Sequence, residues 1–174
     1  MNWEADSIRN IATGMLAELD RELGTTRRFL ERTPGDKLGW RPHEKSKTAG
    51  QLAFHIATLL KGVLTLALSD ESELPNFREE HQPADVQEIL SAFNESEQFV
   101  LKNLAQIDDA RMHQTLKITR DGSVLMELPR VAFLRMVLLN HLYHHRGQYG
   151  VYLRLMGAKV PSSYGPSGDE SPLG

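Results

Sequence analysis

The stretch Asn140–Gln148, with the sequence NHLYHHRGQ, contains three of the seven histidines of the chain. His141 and His145 are four residues apart, so on an α-helix their imidazoles lie on one face, about 5–6 Å from each other. This spacing can present two ligands to one metal ion. The interpretation of the chain therefore depends on whether it supplies a third ligand, and a scaffold that buries all three.

A long helix is predicted around this stretch, from about Pro129 to Met156. Pro129 suits the first helical turn, and Gly157 suits the position just after the last one. Inward-facing residues recur at steps of three and four, which is the helical period. They are Leu134, Leu138, His141, His145, Gln148 and Tyr152.

Three earlier segments show the same period, at about residues 6–32, 48–68 and 84–107. Thr48 and Gln51 form a capping box at the start of the second of these helices. His55 lies on the apolar stripe of that helix, three residues after Leu52 and four before Leu59. It is therefore predicted to point into the core.

The connections complete the predicted architecture. Residues 69–85 form a polar crossover long enough to travel the length of a helix bundle. Residues 115–119 and 123–127 flank Arg120-Asp121-Gly122, which predicts a small hairpin with Gly122 in the left-handed conformation. We expect an all-α, four-helix bundle as a single domain over residues 1–158, followed by an extended C-terminal tail over 159–174.

Composition excludes several classes of function. The 174 residues are 40% hydrophobic and 25% charged, as in an ordinary soluble domain. A net charge of −3 gives no general attraction to nucleic acid or to an anionic membrane. No cysteine is present, which rules out disulfides and a cysteine nucleophile and agrees with a reducing compartment. The N-terminus lacks a secretory signal, so we expect a cytoplasmic protein that binds neither nucleic acid nor membrane.

Helices two and four are unusually poor in charge. Lys61 is the one charged residue over residues 48–68, and Arg135 is the one over residues 131–143. Helices with so little polar surface are covered on more than one side. Because two-fold dimers are the commonest oligomers, we expect a homodimer through these helices.

His55, His141 and His145 are the candidate metal ligands. Neutral imidazole binds zinc, nickel, copper or ferrous iron, and three protein ligands with one open position are the usual layout of a catalytic zinc site. The pattern alone leaves open that each is a core histidine bonded to the backbone or a carboxylate. It also leaves His144 as a substitute for His145, although the apolar stripe favours His145.

Other catalytic patterns are absent from the sequence. Leu142 occupies the position at which an HExxH protease carries its glutamate. No glutamates have the spacing of di-iron bundles, and no serine lies in a Gly-x-Ser-x-Gly elbow. One metal ion held by three histidines is the form of site that the sequence allows.

Three groups of residues resemble the DinB-like (DinB/YfiT-like) family of metalloenzymes, and together they span almost the whole chain. The most specific group is the sequence HLYHHRGQ at residues 141–148. A second is WRP at 40–42 leading to QLAFHI at 51–56. The third is LRLMG at 153–157, followed by VP at 160–161 and YG at 164–165.

This resemblance implies an up-down-down-up bundle with a long crossover between helices two and three, and a homodimer. It implies a divalent transition metal (zinc, nickel or iron) on His55, His141 and His145. Members with known chemistry are similar to thiol-dependent transferases and isomerases that use low-molecular-weight thiols. We therefore expect a metal-dependent enzyme acting on a small molecule, of the thiol S-transferase or hydrolase class. The alternative is a non-catalytic metal- or partner-binding protein of a stress response.

Overall fold

Four long helices dominate the computed structural model, which describes residues 10–75 and 81–171. The last of them has three consecutive parts, an α-helical start, a π-helical segment and a longer α-helix. In chain order the elements are α1 (Asn10–Glu31), a 3₁₀ turn (Gly35–Lys37), α2 (Ala49–Ala67), β1 (Glu71–Glu73), α3 (Val86–Leu104), α4 (Asp109–His113), β2 (Thr115–Arg120), β3 (Ser123–Pro129), α5 (Arg130–Phe133), the π segment (Leu134–Asn140) and α6 (His141–Leu155).

The four predicted helices are confirmed to within a few residues at each described end; residues 6–9 of the first lie outside the described residues. The capping box of α2 is also confirmed. Thr48 accepts a hydrogen bond from the Gln51 amide at 3.1 Å, and the Gln51 side chain accepts one from the Thr48 amide at 2.9 Å. Gly157, with φ of 77°, follows the last helix in the left-handed conformation.

Helix α2 lies in the middle of the helical core. It packs against α3, the π segment and α6, while α1 packs on α3 and α6. By length and composition alone, α2 is the one described helix that could cross a membrane, but more than half of that apolar window is buried inside the fold. Burial of this kind is typical of the core helix of a soluble domain. Its fully buried apolar residues include Leu52, Ile56, Leu60 and Leu64.

A three-stranded sheet corrects the expectation of an all-α chain. The predicted hairpin is present as β2 and β3, with Gly122 in the left-handed conformation at φ of 76°. Strand β1 was not predicted; it lies in the crossover and pairs in parallel with β2. Its sequence, Glu71-Ser72-Glu73, has no apolar alternation that would predict a strand. The strand forms through backbone hydrogen bonds to β2, which is distant in the sequence. The fold is therefore mostly helical with a small mixed sheet.

The tail lies back on the helices. Residues 158–171 contain no helix or strand. Glu170 pairs with Arg28 at 2.9 Å and with Arg32 at 3.1 Å, both on α1. Asp169 accepts a hydrogen bond from the Val160 amide at 2.8 Å. These bonds fix the path of the tail beside α1 and α6.

Candidate metal centre

Helices α2 and α6 bring the three predicted histidines into one cluster. His55 lies in the second turn of α2, and His141 and His145 lie one turn apart at the start of α6. The ring centroid of His55 lies 5.3 Å from that of His141 and 4.6 Å from that of His145. The centroids of His141 and His145 are 4.5 Å apart. One nitrogen of each ring lies within 4.8 Å of the other two.

The ring nitrogens of the cluster face one another. Nε2 of His141 is 2.7 Å from Nε2 of His145, and Nδ1 of His145 is 2.9 Å from Oε1 of Gln148. An amide oxygen can only accept, so Nδ1 of a neutral His145 carries the hydrogen and its Nε2 carries a lone pair. Among the described residues, nothing bonds to the buried Nε2 of His55. An unsatisfied buried nitrogen costs about 1–3 kcal/mol.

Burial keeps the cluster uncharged at neutral pH. Burial, together with the charges of His145, His141 and Lys47, lowers the pKa of His55 from the usual 6.5 to about 3. Burial also lowers the pKa of His145 to about 4, although its hydrogen bond with Gln148 acts in the opposite direction. The pKa of His141 is lowered by burial and by His144 nearby, against a hydrogen bond to the Val137 backbone. Neutral imidazole is the form that binds metals.

His144, the alternative ligand, is not part of the cluster. Its side chain is exposed, and its ring contacts that of His145 at 4.9 Å between centroids. The group of residues able to hold a metal ion consists of His55, His141 and His145. The choice of His145 over His144 from the apolar stripe agrees with this placement.

The three residues fit a divalent transition metal. Their ring nitrogens converge, and the Nε2 of His55 has no partner within residues 10–75 and 81–171. All three side chains keep partial contact with solvent, where a further ligand could enter. Imidazole donors suit zinc, nickel or iron. The sequence placed Gln148 on the same helical stripe but did not predict its bond to His145. The spacing of three residues was the available signal.

Comparison with known proteins gives one consistent result. The model of the DinB family matches residues 7–172. The protein YrdA of Bacillus subtilis (strain 168) is 26% identical over 151 residues, which cover 86% of this chain and 85% of YrdA.

Two solved structures share the fold. A DinB-like protein from Bacillus cereus ATCC 10987 has a TM-score of 0.71 at 23% identity, over 87% of this chain and 97% of that one. The DinB-like protein YjoA from Bacillus subtilis has a TM-score of 0.65 at 19% identity, over 86% of this chain and 96% of that one. At these identities the two structures show the fold alone, whereas the family model covers nearly the whole sequence. The chain therefore belongs to the DinB family.

Proposed function

We propose that this protein binds one divalent transition metal ion on His55, His141 and His145 and acts as a metalloenzyme on a small molecule. The convergence of the three neutral imidazoles carries the proposal. The two Nε2 atoms of α6 lie 2.7 Å apart, and the Nε2 of His55 has no described partner. A metal ion would satisfy all three nitrogens together.

Other parts of the chain would hold the three histidine ligands in position. His55 is fixed by the core helix α2, while Gln148 orients the ring of His145. A bound ion of this class supplies Lewis acidity, which favours the deprotonated form of a thiol or of water. The three imidazoles carry no negative charge, so they leave the charge of the ion uncompensated. This favours an anionic fourth ligand, such as a thiolate.

For the reaction, we infer thiol-dependent transfer to a small electrophile. The family resemblance and the uncharged donor set support this class. The chain has no cysteine, so the sulfur would come from a low-molecular-weight thiol. Thiol conjugation should be assayed over a panel of electrophiles with zinc, nickel or iron, and after chelation. Absence of metal-dependent turnover over a broad panel would favour the alternative, a non-catalytic metal- or partner-binding protein.

Metal content tests the site directly. Protein purified without a histidine tag should contain about one transition metal ion per chain, measured by elemental mass spectrometry. His55→Ala should lose it, because two ligands on one helix hold an ion weakly. His113→Ala is the matched control, since His113 is exposed and distant from the cluster in the chain. Full occupancy in His55→Ala would contradict the three-histidine site.

We also infer a homodimer of up-down-down-up bundles. The low charge of the last long helix supports an interface there. The last helix also keeps Met136, Val151 and Leu155 exposed, which a second subunit could cover. Light scattering on the untagged protein measures the assembly, and a monomer mass at micromolar concentration would contradict the dimer.

A further inference from the structure

Gln148 lies one helical turn after His145 and bonds to the side of its ring away from His141. The distance from Oε1 of Gln148 to Nδ1 of His145 is 2.9 Å. Gln148 is half-buried, so water competes only partly for this bond. Since the amide oxygen accepts, it selects the His145 tautomer with hydrogen on Nδ1 and a lone pair on Nε2.

We infer that Gln148 is a positioning residue of the metal site. It holds His145 as the Nδ1–H tautomer, whose Nε2 lone pair points at the cluster. This inference deepens the proposed function and rests on it for the role of that lone pair. Outer partners of metal-binding histidines fix the ring and strengthen the ligand, and their loss typically costs about 10–100-fold in metal affinity.

The tautomers can be measured without any metal. In ¹⁵N-labelled, metal-free protein above pH 7, long-range ¹H–¹⁵N correlation spectra distinguish a protonated Nδ1 from a protonated Nε2. His145 should show hydrogen on Nδ1. Hydrogen on Nε2 of His145 would overturn the inference, and this measurement requires no variant that might misfold.

Variants of Gln148 test its contribution to affinity. Gln148→Leu removes the acceptor and should weaken Zn²⁺ binding about 10–100-fold in competition with a chelator. Without that acceptor, His145 should no longer be restricted to the Nδ1–H tautomer. Gln148→Glu keeps an acceptor and should therefore keep both the Nδ1–H tautomer of His145 and the affinity for Zn²⁺. Gln98→Leu, at an exposed position on α3, is the control for the substitution itself. Unchanged Zn²⁺ affinity in Gln148→Leu would contradict the positioning role.

The two hypotheses fail in different ways. If His145 of the wild-type protein is the Nδ1–H tautomer but the protein binds no Zn²⁺, the proposed metal site is wrong. If the protein binds Zn²⁺ with His145 in the other tautomer, or independently of Gln148, the metal site stands and the positioning role is wrong.

Discussion

The protonation of three histidines controls when the site can bind a metal ion. Metal and protons compete for the same nitrogens. Burial disfavours the charged imidazolium and holds the pKa of His55 at about 3 and that of His145 at about 4. Zn²⁺ affinity should therefore change little between about pH 8 and pH 6.5, and should fall steeply only below about pH 5.

Competition titrations with a chelator at pH 8, 7, 6 and 5 measure this dependence. An exposed histidine pair would instead lose affinity around pH 6.5. A loss centred near that value would mean that the rings titrate as exposed groups and that the cluster is not buried as described. The His113→Ala variant should follow the wild-type curve, because His113 is not a ligand.

At the scale of single residues, helical spacing was enough to predict the cluster. The four-residue step placed His141 and His145 on one face, and the apolar stripe of α2 turned His55 inward. The bond of Gln148 to the His145 ring could not be predicted in the same way. It depends on side-chain orientation, which no hydrophobic period encodes.

Arg130 connects the end of α2 to the start of the last long helix. Its side chain is 0% exposed, yet each of its three nitrogens donates a hydrogen bond. Nε donates to the Ala67 carbonyl at 2.6 Å, and Nη2 donates to the Ser69 carbonyl at 2.9 Å and to Asp70 at 2.8 Å. Arg111 adds a bond to the Leu68 carbonyl at 2.7 Å. The two cations cap the carbonyl end of α2, where positive charge is favourable.

Replacing Arg130 should therefore destabilise the fold. Arg130→Met leaves the buried Ala67 carbonyl without its partner and should cost about 1–3 kcal/mol of the free energy of unfolding. Arg130→Lys should recover only part of this, since an ammonium lacks the planar fork. Urea unfolding followed by circular dichroism measures both. Arg135→Met is the control on the same long helix: its pair with Glu18 is half exposed and contributes at most about 1 kcal/mol. A similar small loss in Arg130→Met would show that the capping bonds are dispensable.

At the scale of elements, local signals succeeded where they were strong. Thr48 and Gln51 marked the start of α2, and Gly122 marked the hairpin turn. Strand β1 was missed because three polar residues, Glu71-Ser72-Glu73, become a strand only through pairing with β2. Short helix α4 was also missed, since five residues are too few to show a helical period. Pairing between distant segments is a property of the fold and not of the local sequence.

Considered as a whole, the molecule holds its candidate site across two helices that are distant in the chain. α2 supplies one ligand and α6 supplies two, and the helices pack directly against each other. The mostly helical character of the fold was predictable because four long segments show the helical period. The substrate was not, because its contacts would come from irregular segments whose side chains follow no period.

A metal ion that bridges α2 and α6 should stabilise the whole domain, because the unfolded chain cannot hold the three nitrogens together. Zn²⁺ at about 100 times its Kd should add about 2.7 kcal/mol to the free energy of unfolding. For a chain of this length that corresponds to a rise of about 5–10 °C in Tm. Scanning calorimetry with and without Zn²⁺ measures the rise.

The His55→Ala variant decides whether this stabilisation comes from the bridging site. It should retain its fold, since the substitution removes a nitrogen that lacks a described partner, but its Tm should respond little to Zn²⁺. His113→Ala should respond as the wild type does. An equal rise in Tm for His55→Ala would mean that Zn²⁺ binds elsewhere, or to α6 alone. The link between the two helices would then play no part in metal binding.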